Sequence, residues 1–493
     1  MKRQATGWRG LSTPSSIVRW LCSIGLRGLL WVCAVSLLSA CSTNRPWVNQ
    51  PLSVPETGSA LTSSEASAPQ GEPPFSPPII GAVAFSGGGA RAAAFGLGVL
   101  QELKATEFDW QGQSTTLLEH MDLVSGVSGG SVLAAYYAAF GDEVFTHFER
   151  DFLLVNFQSS LIRDALSPAT LYRLSSPWYG RSNALAARLD TLYRGKTFGD
   201  LSKQAGHPRL LITAADLTTG APFEFTPEQF GLICSDLDSV PLAYAVAASS
   251  AVPLLLSPVT IHNFAGQCPS RPLPYDAALV DTNLSARFLH MIAKSYRNAE
   301  ERPYIHLVDG GVVDNLGVRG LLDRASANGS LNRAFQGLPP GSVHEVVLIS
   351  VNSERDTAER IDHSDKVPTG GQVLDSLVFG AGSRQTTETT AMVNDAAKRM
   401  ADELREERLR PGSPFAEDAE IHVINVSLRD LQNPDIKSQL LNVPTALTIL
   451  PIQVKELQKA GREVLRESPA FQRLLRSLGA PQKAPKSKPS EGS

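Results

Sequence analysis

The residues that point most directly to chemistry are those at positions 126–130, Gly-Val-Ser-Gly-Gly, the sole G-x-S-x-G sequence in the chain. They follow the apolar pair Leu123-Val124 and precede a run of small and apolar residues that predicts a helix. A serine in such a turn projects its hydroxyl outward, and the small neighbours Gly126 and Gly130 let strand and helix approach closely. A chain with 39 glycines can contain this pentapeptide by chance. The argument for Ser128 as a nucleophile therefore depends mainly on the position of the motif between a predicted strand and a predicted helix.

A glycine-rich segment, Ser86-Gly87-Gly88-Gly89-Ala90-Arg91, lies between an earlier predicted strand and helix. Consecutive glycines let backbone N–H groups converge at a helix N-terminus, where they can bind a phosphate or stabilise an oxyanion. Residues 87–92 also satisfy the dinucleotide-binding pattern G-x-G-x-x-A. That alternative requires an acidic residue at the end of a second strand, and Glu107 and Asp109 lie in a polar stretch instead. A purely structural glycine turn is the other alternative.

A serine nucleophile needs a base, usually a histidine, but none of the nine histidines lies in an obvious catalytic loop. The best placed, His306, falls within the strand pattern at 305–308, where we expect a core histidine with a satisfied hydrogen bond. The motif Asp309-Gly310-Gly311 follows this strand directly. Because α/β sheets place their sites at the carboxyl ends of strands, Asp309 is a candidate base. The alternative is that Asp309 only caps the following turn.

These three motifs, in this order, resemble those of the patatin-like phospholipases. Gly87, Gly88, Gly89 and Arg91 match the oxyanion-hole motif of that family, residues 126–130 its nucleophile elbow, and residues 309–311 its catalytic aspartate motif. The stretches 216–220 and 247–253 also resemble the family, and the similarity runs from about residue 80 to residue 352.

The sequence departs from the family pattern in two places. Ala92 stands where many members have glycine. The interval between Ser128 and Asp309 is long, which suggests an insertion at about residues 268–302 that alters the mouth of the site.

The resemblance implies an α/β, three-layer patatin-like fold, with a mostly parallel central sheet and helices on both faces. It also implies that Asp309 accepts the Ser128 proton directly, that Gly88, Gly89 and Arg91 stabilise the oxyanion, and that acyl esters of phospholipids or related lipids are the substrates. No cofactor, metal or nucleotide is expected. A lysophospholipase, an esterase or an acyltransferase on the same dyad, and a non-catalytic envelope lipoprotein that binds lipid or protein, remain alternatives.

The hydrophobic pattern supplies the elements that must position these motifs. Strands alternate with helical segments, which indicates a sheet covered on both faces. The predicted strands are 79–85, one ending at 124, 210–214, 305–308, 346–351 and 421–426, and the predicted helices include 90–103, 386–409 and 454–466. We predict a catalytic domain at 79–352, a C-terminal α/β extension on the same core at 353–479, and a disordered tail at 480–493.

Residues 1–40 have the composition of a signal peptide. Their five basic residues end at Arg27, and an uncharged stretch follows that is shorter than the about 20 residues of a membrane span. The sequence Leu38-Ser39-Ala40-Cys41 resembles the lipobox of bacterial lipoproteins, which implies cleavage before Cys41 and acylation of that cysteine. An ordinary signal peptide or a short anchor is the alternative.

We therefore expect a protein of the bacterial cell envelope, lipid-anchored in the outer membrane because Ser42 does not provide an inner-membrane retention signal of the aspartate type. Residues 41–78, rich in proline and serine, are predicted to form a disordered tether that holds the body away from the membrane. Of the five cysteines only Cys234 and Cys268 remain in the body, and they form either a disulfide or two buried thiols.

Composition excludes several other classes of protein. The mean hydropathy of -0.07 and the 42% of hydrophobic residues are those of a globular chain, not of a disordered or polytopic membrane protein. Since the first 40 residues hold five basic groups and no acidic ones, the rest of the chain carries a net charge of -9. An acidic body without a basic patch makes nucleic acid an unsuitable partner.

Overall fold

The computed structural model describes residues 43–53, 79–204, 206–269, 273–275, 277–355, 361–362, 364–376 and 381–480. The predicted signal peptide, the predicted lipidation site Cys41, residues 54–78 of the predicted tether and residues 481–493 of the predicted tail lie outside the described residues. Within that part of the chain, no helix combines the length and the apolar character needed to cross a membrane.

In the described part of the chain, ten strands form one large sheet and one small hairpin. They are β1 Ile79–Phe85, β2 Glu107–Trp110, β3 Gln113–Thr116, β4 Met121–Gly126, β5 Arg209–Asp216, β6 Pro222–Glu224, β7 Val259–His262, β8 Tyr304–Val308, β9 Val343–Asn352 and β10 Phe415–Ser427. The large sheet has the order β10-β9-β1-β4-β5-β8-β7, with β6 also paired to β5. The strands from β10 to β5 are parallel, and β8, β7 and β6 are antiparallel to their neighbours. The predicted mostly parallel sheet is confirmed.

The helices lie between these strands in the chain and after the last strand, β10. They are α1 Gly89–Lys104, α2 Gly129–Phe140, α3 Glu143–Thr146, α4 Phe157–Ala165, α5 Pro168–Leu174, α6 Arg181–Tyr193, α7 Phe198–Ser202, α8 Pro227–Leu232, α9 Leu242–Ser249, α10 Ala277–Thr282, α11 Leu284–Arg297, α12 Arg319–Asn328, α13 Leu331–Ala334, α14 Gly370–Asp375, α15 Ala381–Glu407, α16 Pro434–Leu441, α17 Pro451–Glu467 and α18 Pro469–Ser477.

Alternate side chains of the central strand β1 face two different helical layers, because successive residues of a strand point to opposite faces. Val83 and Phe85 belong to the main core with α1, α2, α9 and α17. Ala84 packs in a second cluster with residues of α12 and α15. Helices therefore cover both faces of the sheet, which confirms the predicted three-layer α/β architecture.

The C-terminal extension is part of this architecture. β10 pairs with β9 in parallel from Glu420 to Ser427, and α17 packs on α1 with Leu457 fully buried. The Arg466 guanidinium binds the buried Glu102 carboxylate through both of its oxygens, at 2.8 and 2.5 Å. Residues after 352 thus complete one edge of the sheet and one helical layer.

The structure differs from the predicted tether at residues 43–53, which lie on the body. The Trp47 ring contacts that of Tyr244 at 4.6 Å between centroids. The Asn49 side chain is buried; its amide nitrogen donates to Ser235 Oγ (2.8 Å) and its oxygen accepts from the backbone N–H of His262 (2.7 Å). The proline- and serine-rich composition of residues 41–78 predicts disorder, and it gives no weight to single contact residues such as Trp47 and Asn49. The prediction of a disordered tether is therefore wrong for residues 43–53.

The predicted insertion at 268–302 contains α10 and α11, and α11 packs on α12. Its C-terminal end is held by Arg302, whose guanidinium binds the fully buried Asp216 carboxylate at 2.5 Å. At its N-terminal end Cys268 is bonded to Cys234, with the two Cα atoms 5.9 Å apart. The Asp216 segment, noted in the sequence for its resemblance, thus contributes an anchoring side chain.

Candidate active site

Ser128 lies in a sharp turn between β4 and α2, with φ 51° and ψ -122°. A non-glycine residue in this conformation costs on the order of 1–3 kcal/mol and persists only where its surroundings enforce it. The Ser128 amide donates to Ser249 Oγ at 2.9 Å, and the Ser249 hydroxyl donates to the Thr213 carbonyl at 2.6 Å. Strand β5 and helix α9 therefore hold the turn from outside.

The turn also depends on the absence of a side chain at Gly130. A Cβ at this position would clash with the carbonyl oxygens of Phe85 and Ser86 at the end of β1. This contact brings the start of α2 against the glycine-rich loop that follows β1. The small residue at position 130 is therefore required because the backbone after β1 lies directly against it.

The glycine-rich loop runs from β1 into α1. Gly88 has φ 144° and Gly89 φ 62°, which are conformations that favour glycine. The Gly87 amide donates to the Asn315 carbonyl at 3.0 Å, and the Ala90 amide donates to the Ala446 carbonyl at 2.7 Å. Among the described residues, no acceptor is found for the amides of Gly88 and Gly89.

These amides border the nucleophile. A Cβ built on Gly87 would lie 3.5 Å from the Cβ of Ser128, and one built on Gly129 would clash with the backbone of Gly89. The loop, the elbow and the N-terminus of α1 therefore form one compact unit. Unpaired N–H groups beside a serine hydroxyl are the arrangement that stabilises an oxyanion.

Asp309 follows β8 and is 6% exposed. Its carboxylate accepts a hydrogen bond from the Gly311 amide at 2.8 Å. Burial raises the pKa of Asp309 to about 6, and the Gly311 amide and the nearby Ser128 hydroxyl oppose that rise. A carboxyl group with this pKa can accept a proton at neutral pH and return it to a leaving group.

The histidine expectation is wrong in one respect. His306 is exposed, not in the core, because β8 alternates and His306 points away from its buried neighbours Ile305 and Leu307. Its Nδ1 is 2.9 Å from Thr260 Oγ1. Of the histidines in the described ranges, none is a hydrogen-bond partner of Ser128 or Asp309.

Arg91 does not reach the position expected of it. The guanidinium is buried and donates to the carbonyl oxygens of Ser353 (2.8 Å) and Val443 (2.5 Å), and to Thr445 Oγ1 at 3.4 Å. Burial lowers its pKa to about 9, so it stays charged at neutral pH. All three guanidinium nitrogens therefore donate hydrogen bonds to the C-terminal part of the chain, and Arg91 anchors the start of α1 to that part.

Three contributors to the site were missed in the sequence. Ser249 was noted only within a stretch that resembles the family, and its hydroxyl fixes the elbow. Asn315 and Ala446 bind the amides of Gly87 and Ala90 through backbone carbonyls. Because a backbone acceptor can belong to any residue type, no sequence signal identifies the last two.

A possible cation site lies elsewhere. Glu345, Glu420 and His422 have potential ligand atoms within 4.8 Å of one another. They lie towards the amino ends of β9 and β10, whereas Ser128 and Asp309 lie at the carboxyl ends of β4 and β8. His422 Nε2 is already 2.8 Å from Glu345 Oε2, so the group is accounted for as a buried polar pair at the sheet edge.

The chain thus has an α/β fold with a serine in a strained strand-to-helix turn. The comparison with known families is specific. Residues 83–322 match the sequence model of the patatin-like phospholipases, and this segment of the chain is a patatin-like phospholipase domain, of a family of lipid acyl hydrolases. Strands β9 and β10 lie outside the matched residues.

Similar solved structures include the human GIVD cytosolic phospholipase A2, with 13% identity and a TM-score of 0.40, where the match covers 82% of this chain and 60% of that one. This chain thus spans less than two thirds of that protein. VipD from Legionella pneumophila has 14% identity and a TM-score of 0.29, with 81% and 67% covered. The type III effector protein ExoU has 18% identity and a TM-score of 0.23, with 82% and 76% covered. No curated protein sequence matches the chain.

Proposed function

We propose that this protein is a serine acyl hydrolase that cleaves acyl esters of phospholipids or related lipids. The observation that carries the proposal is the buried Asp309 carboxylate beside Ser128, whose hydroxyl lowers the pKa that burial of the carboxylate raises. A binding protein has no need to hold a strained serine against a carboxylate whose pKa is raised. The patatin-like phospholipase domain supports lipid esters as the substrate class.

In the first half of the reaction, Ser128 Oγ attacks the ester carbonyl carbon and Asp309 accepts the hydroxyl proton. The carbonyl oxygen becomes an oxyanion, which the amides of Gly88 and Gly89 stabilise. One such donor typically contributes about 2.7–4 kcal/mol to catalysis. When the tetrahedral intermediate collapses, the bond to the alcohol oxygen breaks and that oxygen takes the proton from Asp309.

In the second half, water attacks the acyl-serine carbonyl and gives its proton to Asp309. Collapse releases the fatty acid, and Ser128 Oγ regains the proton. An acid with a pKa near 6 suits an alkoxide leaving group, whereas the poorer leaving group of an amide gains less from it. The raised pKa of Asp309 therefore supports esters as the proposed substrates.

We further propose that the enzyme is an envelope lipoprotein held at the outer membrane through acyl chains on Cys41. The Leu38-to-Cys41 sequence supports this, and acyl chains give stable attachment to a bilayer. Replacement of Cys41 by alanine is expected to release the protein from membranes or to block processing. An unprocessed N-terminus in the mass spectrum of the wild-type protein would contradict the proposal.

A fluorophosphonate probe tests the nucleophile. We expect the wild-type protein to be labelled on Ser128 and Ser128→Ala to be unlabelled. Ser202→Ala, a change in the remote helix α7, serves as the matched control and should label as the wild type does. Equal labelling of wild type and Ser128→Ala would refute the proposal. A panel of phospholipid, lysophospholipid and short-chain esters, assayed with the same variants, then defines the substrate.

A further inference from the structure

One short helix lacks any buried residue. α5 has the sequence PATLYRL, and every side chain of it is partly or fully exposed. Leu171 is 49% exposed and Tyr172 54%. An apolar helix face normally forms because it packs against another element, yet about half of the Leu171 and Tyr172 side chains stays exposed in this chain.

The neighbouring elements extend this exposed apolar surface. Ile162 on α4 and Leu166 at its C-terminal cap are four residues apart, which places them on one helix face, and they are 52% and 65% exposed. Trp178, between α5 and α6, is 49% exposed. We call the five residues Ile162, Leu166, Leu171, Tyr172 and Trp178 the apolar face. An exposed cluster of this kind marks an interaction surface.

The apolar face adjoins the active-site end of the sheet on two sides. The Gln158 amide at the start of α4 donates to Thr448 Oγ1 at 3.0 Å, two residues beyond Ala446, which binds the oxyanion loop. The Arg181 guanidinium donates to the Leu254 carbonyl at 2.7 Å, three residues beyond Ala251, whose carbonyl binds the Asp309 amide.

Both connecting segments expose further apolar side chains. Leu254 and Leu255 are 69% and 63% exposed, and Leu450 and Ile452 are 62% and 60% exposed. The exposed apolar surface therefore continues from the apolar face to the segments that contact the catalytic loops. A partner on this surface would lie next to the segments that contact the loops of Ser128 and Asp309.

The N-terminal segment 43–53 also contacts the region of the apolar face. The Asn44 carbonyl accepts from Ser176 Oγ at 2.7 Å, and the Arg45 guanidinium lies 4.4 Å from the ring centre of Trp178. The described N-terminal segment therefore contacts the body beside Trp178 of the apolar face.

The charge of the residues around the apolar face indicates which kind of partner it binds. Residues 157–181 contain three arginines, Arg163, Arg173 and Arg181, and a single acid, Asp164, although the chain as a whole carries a net charge of -4. Arg163 and Arg173 are exposed. Exposed apolar residues accompanied by basic groups fit the surface of an anionic bilayer, into whose interface such side chains insert.

We propose that the apolar face is a membrane-docking surface that seats the active site directly on an anionic lipid bilayer. The inference rests on the proposed function for its choice of a lipid partner and adds the orientation of the body. It replaces the predicted tether with a short connection, since docking of residues 43–53 leaves the body against the membrane and not held away from it.

Fluorescence quenching in the processed protein, in which the proposed acylation occupies Cys41, tests this orientation. A probe is attached through Leu166→Cys, or through Leu171→Cys as a second position, in the Ser128→Ala background. Cys234 and Cys268 are bonded to each other, and protein without an added cysteine provides the blank. The matched control is Leu409→Cys, since Leu409 is 72% exposed and lies just before β10, at the opposite end of the sheet. The vesicles contain phosphatidylglycerol and phosphatidylcholine, with or without doxyl-labelled lipid.

We expect doxyl lipid to quench the probe at positions 166 and 171 at least twofold and to leave the probe at position 409 unchanged. Equal quenching at the three positions, or none at 166 and 171, would overturn the docking surface. Because Ser128→Ala carries no nucleophile, the result does not depend on hydrolysis. If wild type hydrolyses no ester but position 166 is quenched, the proposed function fails and the docking surface stands.

Discussion

At the scale of single residues, the proposed dyad of Ser128 and Asp309 would act as one group, because the serine needs a base and the carboxylate needs a proton donor. We predict that Ser128→Ala, Asp309→Asn and the double variant hydrolyse esters at similarly low rates. The loss should be on the order of a thousandfold or more, since residues that act as a unit have non-additive effects. Steady-state kinetics with a soluble ester measures this, with circular dichroism to verify folding.

The control for this dyad is His306→Ala, which removes an exposed side chain on β8 and should keep the wild-type rate within a few-fold. A folded Asp309→Asn enzyme with near-wild-type turnover, together with an inactive His306→Ala enzyme, would contradict the dyad. A Ser-His-acid triad would then be the better mechanism.

The raised pKa of Asp309 determines the pH profile. Burial raises this pKa to about 6, and the base works only as a carboxylate. We predict that kcat/KM for a neutral ester rises with pH through a midpoint near 6 and is lost below it, because protonated Asp309 cannot accept the serine proton. A pH–rate profile from about pH 4 to about pH 9 measures the midpoint. A midpoint near the ordinary aspartate value of about 4, or a rising limb near about 8, would count against Asp309 as the base.

At the scale of the elements, the elbow depends on a hydrogen bond across β5 and α9. Ser249→Ala leaves the buried Ser128 amide without its acceptor, which costs about 1–3 kcal/mol. We predict a loss of that size in the free energy of unfolding, with a fall in kcat of about tenfold as the strained turn relaxes. Denaturant unfolding and kinetics on the same preparation test both.

The adjacent residue offers a matched control. Ser250 is also buried, and its hydroxyl has no hydrogen-bond partner in the part of the chain that is described. Ser250→Ala should therefore leave stability unchanged or raise it, and kcat should stay within twofold. Equal effects of the two substitutions would show that Ser249 contributes only bulk to the elbow.

Arg91 ties α1 to the C-terminal extension. Arg91→Met would remove the donors to the carbonyls of Ser353 and Val443 in a buried site. We predict a loss of about 3 kcal/mol or more in unfolding free energy, while kcat falls less than tenfold. A full-stability variant with kcat reduced more than a hundredfold would restore the oxyanion role that the sequence suggested.

The sequence predicted where the motifs of Ser128 and Asp309 lie, but it did not predict which distant residues bind and position them. Each catalytic motif is local, so the strand and helix patterns around Ser128 and Asp309 predicted their positions. The supports come from distant residues: Asn315 and Ala446 act through carbonyls, and residues 43–53 dock through Trp47 and Asn49 within a proline-rich composition. The hairpin β2–β3 was also missed, because its residues are largely exposed and polar.

At the scale of the whole molecule, the disulfide links the end of α8 to the insertion. Its loop of 34 residues predicts a stabilisation of about 3–4 kcal/mol. We expect reduction, or the pair Cys234→Ser and Cys268→Ser, to lower the free energy of unfolding by about that amount. Alkylation of both thiols in the non-reduced, denatured protein would show that the bridge is absent.

The position of β9 in the sheet determines how much of the chain is needed to form one folded domain. The family match ends at residue 322, but β9 is the neighbour of β1 in the centre of the sheet, and β10 pairs with β9. The segment that matches the family model is thus smaller than the unit that folds. A chain cut at residue 322 would expose the whole edge of β1, and a long unpaired apolar edge pairs with other chains and aggregates.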